Sequence, residues 1–239
     1  MGLAFDPASL RLVLFDLDGT LIDTLPDIAR ALDRCFDARG WPTPGLARAR
    51  GWVGNGSRML LARAMAWHQQ CPVEAIDERE LDGMQAPFFD NYERSCADRS
   101  ELYPGVRESL ALLHELGIPL ACVTNKPGRF TPGVLSGCGI DGYFALTLSG
   151  DSLERRKPDP LPLQHALDHF AVAADQALMV GDSENDVLAA RAASIPVLAV
   201  DYGYNYGRSI YDASRPAAEN PDHVVSTLSD FFSFAGHGG

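Results

Sequence analysis

The run Leu12-Val13-Leu14-Phe15-Asp16-Leu17-Asp18-Gly19-Thr20 decides the fold. Four consecutive apolar residues stop abruptly at two carboxylates and a glycine. An uninterrupted apolar run of this length suits a parallel strand covered on both faces, rather than a strand with one wet face. At its carboxyl end, Asp16 and Asp18 project to the same side of the chain while the backbone stays extended. Gly19 then permits a turn that exposes backbone amides. Two carboxylates at such a point can serve as cation ligand, nucleophile and proton donor. A plain strand-end turn uses the same residue types.

Further apolar runs repeat the pattern at Leu120–Val123, Phe144–Leu148, Ala177–Val180 and Val197–Val200. Helical spacing separates most of them, as at Val106, Leu110, Leu113 and Leu116, and again at Val187, Leu188, Ala190 and Arg191. Alternation of strand and helix predicts an α/β fold built on a doubly wound parallel sheet. One stretch breaks it. Between Thr24 and Arg99 no strand is expected, while Leu25, Ile28, Ala29, Leu32 and Phe36 share one helical face, as do Leu81, Met84, Phe88, Phe89 and Tyr92. The expected organisation is a core of residues 1–23 and 100–239 with a helical cap, 24–99, inserted above the carboxyl ends of the strands. Ligands bind there in open α/β sheets, so the insertion would act as a lid.

The chain has 239 residues, enough for a hydrophobic core without staples. Twenty basic against 32 acidic residues give 20 − 32 = −12, which argues against nucleic acid or anionic membrane as partner. An anionic substrate would need local positive charge, and a bound cation is one device. The five cysteines, Cys35, Cys71, Cys96, Cys122 and Cys138, form no C-x-x-C pair and are expected as reduced thiols. No apolar run is long enough to span a membrane, and no signal segment is visible at Met1–Asp6. A cytoplasmic protein, monomer or homodimer, is expected.

Three more segments carry chemistry. Gly181-Asp182-Ser183-Glu184-Asn185-Asp186 again places acids at a strand end, opening a helix. Asp182 suits a metal ligand, and Asp186 would orient a ligand or lysine from behind; a helix N-cap uses the same residues. Thr124-Asn125-Lys126 offers a hydroxyl and amides to phosphate oxygens. Lys157, in Arg155-Arg156-Lys157-Pro158, offers positive charge, although most lysines are solvated surface groups.

In this order the four segments, Asp16–Asp23, Thr124-Asn125, Lys157-Pro158 and Gly181–Asp186, resemble the motifs of haloacid dehalogenase-like phosphatases over nearly the whole chain. The resemblance implies that Asp16 is the nucleophile, forming an aspartyl-phosphate, and that Asp18 is the general acid and base. It implies that Thr124 binds the phosphoryl group with Gly19 and Asn125, and that Lys157 stabilises its charge. Mg²⁺ would sit on Asp16, the backbone carbonyl of Asp18 and Asp182, with Ser183 and Asp186 supporting. Asp18 together with Thr20 favours phosphoryl transfer over dehalogenation, since dehalogenases proper usually lack this second acid.

Within the insertion, Trp52-Val53-Gly54-Asn55-Gly56-Ser57 can expose amides at a helix N-terminus. With Tyr202-Gly203-Tyr204-Asn205 it resembles the phosphoglycolate phosphatase branch. The small phosphorylated substrate would then be 2-phosphoglycolate, its carboxylate near Gly54, Asn55 and Gly56. Arg58 could help hold that carboxylate, although a solvated arginine is the preferred reading of the residue. Sugar-phosphate or nucleotide phosphatases, a β-phosphoglucomutase-like mutase and a non-catalytic sensor are the alternatives. His165 and His169 are read as a surface helical pair rather than a zinc site. Phe231, Phe232 and Phe234 are expected to pack a terminal helix, ahead of a frayed Gly236–Gly239.

Overall fold

The computed structural model describes residues 9–216 and 219–232. Six strands form one parallel sheet: β1 (Leu12–Phe15), β4 (Leu120–Val123), β5 (Leu146–Leu148), β6 (Ala177–Gly181), β7 (Val197–Val200) and β8 (His223–Val225). Their order is β5-β4-β1-β6-β7-β8. The chain leaves β1 towards β4 on one side and returns to β6 on the other, in registers Phe15↔Cys122 and Phe15↔Val180. Adjacent crossovers that diverge this way open a crevice at the strands' carboxyl ends. Asp16 is the first residue past β1 and therefore stands in that crevice.

The period of two sorts the apolar runs into two cores. Val13, Phe15, Leu120, Cys122, Leu178, Val180, Leu198 and Val200 face one side, with α5 (Val106–Glu115), α6 (Thr131–Gly137) and α9 (Leu228–Phe232). Leu12, Leu14, Ala121, Val123, Ala177, Met179, Val197 and Ala199 face the other, with α7 (Leu161–Phe170) and α8 (Glu184–Ala192). Both faces are covered, which is why the runs do not alternate with polar residues.

Four helices, α1 (Leu25–Asp37), α2 (Gly45–Arg50), α3 (Ser57–Gln69) and α4 (Glu78–Glu93), follow β1 and precede α5. They enclose a third core, to which Phe130 and Tyr204 from the sheet-bearing part also belong. Leu25, Ile28, Ala29, Leu32 and Phe36 are all buried on α1, as the helical spacing requires. On α4, Leu81, Met84, Phe88 and Tyr92 are buried, and Phe89 is half-buried. The chain enters and leaves the helices through a two-stranded antiparallel pair, β2 (Ile22–Asp23) with β3 (Glu101–Leu102). Asp27 on α1 clamps the return, accepting from the Arg99 amide at 2.9 Å and the Ser100 hydroxyl at 2.8 Å.

Two expectations need correction. The strand expected from Phe144 begins at Leu146, because residues 141–143 form a tight 3-10 turn against α5 and α6. β8 has no apolar run to announce it: it is a three-residue edge strand, buried on neither side at Val224. His165 and His169 are exposed on α7, and the five cysteines carry free thiols. Phe232 is buried against Phe15, with ring centroids 6.3 Å apart. The side chain of Phe231, and Phe234, Gly236–Gly239 and Met1–Asp6, lie outside the described residues. No described helix is long and apolar enough to cross a membrane.

Phe36 is fully buried between Trp41, Trp67 and His68. Phe36→Ala should cost about 3–5 kcal/mol through lost burial and the cavity left behind. For a chain of this size that lowers the thermal midpoint by roughly 6–20 °C. A melt followed by circular dichroism checks it; a fall under about 2 °C would mean that these helices contribute little to stability.

Candidate active site

The ends of β1, β4 and β6 converge on one buried ammonium. Lys157 Nζ donates to Asp16 Oδ1 at 2.8 Å, to Asp186 Oδ1 at 2.6 Å and to the Val123 carbonyl. The lysine is therefore no solvated surface group. Burial works against its charge, but Asp16 and Asp186 outweigh burial and hold it protonated well above the usual lysine range.

Asp16, Asp182 and Asp186 each bring a carboxylate oxygen within 4.8 Å of the others, all buried. Asp182 is fixed from two sides, accepting from the Thr20 hydroxyl at 2.8 Å and the Tyr204 amide at 2.7 Å. Asp186 accepts from the Ser183 amide and hydroxyl, at 3.0 and 2.7 Å, as well as from Lys157. Asp186 and Ser183 thus open α8 and brace the cluster at the same time. One ammonium cannot neutralise three buried acids. Burial raises Asp16 to about 6, against the pull of Lys157. Burial, reinforced by Asp16 and Asp186, raises Asp182 to about 8. Hard oxygen donors carrying surplus negative charge suit a divalent cation.

Asp18 has its own partners. Its carboxylate accepts from Lys126 Nζ at 3.0 and 3.2 Å and from the Thr24 hydroxyl at 2.6 Å. Lys126 also donates to the Tyr92 hydroxyl, 2.7 Å away on α4. Thr124 Oγ1 accepts from the Lys126 amide at 3.1 Å, which leaves its own proton to donate. Gly19 (φ +91°) packs on Asp182, where a Cβ would come within 2.5 Å of Oδ2. No side chain fits there.

A cavity of about 60 Å³ opens over these groups. Asp16, Asp18, Thr124, Asn125, Lys126 and Lys157 border it from the sheet side. Gly54 and Gly56 close it from the helices, with Ile28, Val53, Leu60 and Phe88. At ~10–15 Å³ for each water-sized site, it has room for a small molecule only. The loop at Gly54 is fastened down: its carbonyl accepts from Asn125 Nδ2 at 3.1 Å and Asn185 Nδ2 at 3.0 Å.

Two expectations, at Asn55 and Gly19, fail here. Asn55 does not border the cavity; its side chain bonds Arg63 at 2.8 Å and turns to Asn185. Arg58, as the preferred reading has it, points outward, to Glu78, Asp82 and Gln85, because three acceptors on α4 lie opposite it. Gly19 and Asp182 lie behind the cavity wall rather than on it.

Other residues emerge only in three dimensions. Thr24 carries no spacing signal, Tyr92 reads only as part of a helical apolar face, and Thr20 and Asn185 lie within the strand-end motifs, whose spacing assigns them no partner. Lys126 carried a hint in its position directly after Thr124-Asn125. The segment after β7 proves to be a bracket. The Tyr204 hydroxyl accepts from the Leu25 amide at 3.0 Å and donates to Asp23 at 2.8 Å. The Tyr202 hydroxyl donates to the Thr20 carbonyl, and Asn205 caps α8 by accepting from the Glu184 amide.

Comparison with known proteins agrees with this geometry. A family model of haloacid dehalogenase-like hydrolases matches residues 10–194. The chain is 41% identical over 219 residues to the phosphoglycolate phosphatase of Nitrosococcus oceani, covering 91% of this chain and 93% of that one. It is 42% identical over 221 residues to the phosphoglycolate phosphatase of Vibrio cholerae, covering 92% and 94%. The crystal structure of a predicted phosphoglycolate phosphatase from Haemophilus somnus superposes with a TM-score of 0.85 at 34% identity, over 95% of this chain and 98% of that one. With a parallel sheet that gathers Asp16, Asp18, Thr124, Lys157 and Asp182 at one crevice, the chain belongs to the haloacid dehalogenase-like hydrolases, as a phosphoric monoester hydrolase similar to the phosphoglycolate phosphatases.

Proposed function

We propose that the enzyme hydrolyses 2-phosphoglycolate to glycolate and phosphate, with Mg²⁺ bound, through a phosphorylated Asp16. The observation that carries this reading is the pairing at Asp16. One carboxylate oxygen is pinned by Lys157 while the residue borders a small cavity, with Asp18 two residues away on the same wall. A pinned carboxylate meets phosphorus from one direction, which is the positioning a nucleophile needs.

Asp16, the backbone carbonyl of Asp18 and Asp182 would hold Mg²⁺, with Asp186, itself held by Ser183, bracing Lys157. Bound there, the cation supplies the positive charge that lets an anionic ester approach an anionic carboxylate. Asp16 forms a bond to phosphorus as the ester P–O bond breaks, and Asp18 gives its proton to the departing glycolate oxygen. Thr124 donates its hydroxyl proton to a phosphoryl oxygen, and Lys157 offsets charge at the oxygen of Asp16 that it holds. In the second step water attacks phosphorus, Asp18 takes the water's proton, and phosphate leaves Asp16 as a free carboxylate. Residues 24–99 act as the cap. Gly54 and Gly56 present backbone over the substrate, tied to residues 1–23 and 100–239 through Asn125 and Asn185. The cavity's size favours a two-carbon phosphate over a nucleotide. Phosphate release from 2-phosphoglycolate, compared with glucose 6-phosphate and a nucleoside monophosphate, tests the assignment; preference for either larger ester would overturn it.

Asp16→Asn should lower kcat/KM for 2-phosphoglycolate by at least about 10³-fold, because the amide is a poor nucleophile. The fold should survive, since the change removes charge from an over-acidic cluster. Phosphate release and a thermal melt measure the two parts, and activity within tenfold of wild type would exclude the nucleophile.

A pH dependence also follows. Asp16 and Asp182 titrate higher in the folded protein, at about 6 and about 8, than in an unfolded chain, near 3.8. The folded state therefore binds more protons than the unfolded chain across that window, and stability without metal falls as pH rises from about 4 to about 8. Mg²⁺ should raise the thermal midpoint more at pH 8 than at pH 5, by reversing that loss. Equal shifts at both pH values, measured in chelator against Mg²⁺, would count against an ion between these carboxylates.

A further inference from the structure

The cavity is bordered by two buried lysines that differ in how fully their protons are used. An ammonium has three protons. Lys157 directs them at Asp16, Asp186 and the Val123 carbonyl, so it is committed. Lys126 has two partner groups for its side chain. It straddles both oxygens of Asp18, at 3.0 and 3.2 Å, and reaches the Tyr92 hydroxyl at 2.7 Å. Two longer contacts to a single carboxylate leave one proton able to turn to another acceptor. Asp18 keeps a second anchor in the Thr24 hydroxyl at 2.6 Å, so it remains placed when Lys126 turns.

The opposite wall offers a carboxylate no cation; its polar groups are those of Gly54, Gly56, Ser57 and Tyr92. Ile28, Val53, Leu60, Phe88 and Phe130 border it with apolar surface. A carboxylate pressed against such surface loses its hydration without a partner. Arg58 is engaged outside with Glu78 and Asp82. Arg63 is bound to the Trp52 carbonyl and Asn55. Lys126 is thus the one cation bordering the cavity with a proton to redirect, among the described residues.

Resting on the 2-phosphoglycolate reading, the geometry points to Lys126 as the residue that selects a carboxylate-bearing substrate. Its ammonium turns from one oxygen of Asp18 to the carboxylate of the bound ester. The same movement frees that oxygen of Asp18 to face the leaving group, while Thr24 holds the other. An ester without a negative tail leaves Lys126 bridging Asp18. Recognition and the readiness of Asp18 are then one event, so the carboxylate acts on kcat as well as on KM.

The test is a double-mutant cycle between enzyme and substrate. It compares kcat/KM on 2-phosphoglycolate and on 2-phosphoglycolamide, which has the same shape and a neutral tail, for wild type and Lys126→Met. Wild type should prefer the acid by about 100-fold, as expected of a close charge pair. Lys126→Met should reduce that preference to under about threefold, because loss of its hold on Asp18 changes both reactions alike while loss of the charge pair falls on the acid. Lys126→Gln keeps a donor for Asp18 and Tyr92 without the charge, and carries the same test if the Met variant does not fold. Preference for the acid retained in the variants, whatever the common change in rate on both substrates, overturns the proposal. A wild type that prefers neither substrate, yet cleaves other phosphate esters, would instead overturn the 2-phosphoglycolate reading.

Discussion

One buried ammonium organises the molecule's working end. Lys157 draws together the residue after β1, the carbonyl closing β4 and the first turn of α8. These segments are far apart in sequence. Their side chains converge because a buried lysine must be paired, and two buried carboxylates must share it. Ion pairs of this kind contribute little net stability once desolvation is counted, yet removing one partner leaves an uncompensated buried charge. What the arrangement supplies is position. The surplus of acid over base that remains, visible in the raised titration of Asp16 and Asp182, is an electrostatic demand for a cation.

Around that centre the helices and the sheet are joined mainly through polar groups. Asn125 and Asn185 both donate to the Gly54 carbonyl, and Lys126 reaches the Tyr92 hydroxyl. Arg50 donates to the carbonyls of Tyr202 and Gly203. Phe130 and Tyr204 add apolar contact from the sheet side. Polar contacts exchange with water at modest cost, unlike a continuous apolar core. The antiparallel pair of β2 and β3, two residues in each strand, is a narrow connection between the two parts. Such a joint suits helices that must admit a substrate and then shield it.

Much of this was legible along the chain. The runs at Leu12, Leu120, Ala177 and Val197 announce buried strands because both faces are apolar. The helical face from Leu25 to Phe36 announces α1 for the matching reason. β8 was illegible, because an edge strand of three residues with exposed Val224 has no burial to encode. Asn55 shows the opposite failure. Its place between Gly54 and Gly56 suggests a ligand, but Arg63, eight residues on, holds its side chain away from the cavity.

The sequence by itself determined which chemistry is present: carboxylates at strand ends, a hydroxyl, a lysine and small glycines, in an order that resembles one family. It did so because strand, turn and motif are local, and periodicity records burial. Only the tertiary structure decided which of those groups meet. The sharing of Lys157 by Asp16 and Asp186, the hold of Lys126 on Asp18, and the engagement of Arg58 by Glu78 and Asp82 are pairings across twenty residues or more. Each is settled by which charges the fold buries together and must neutralise there, and no local pattern carries that information.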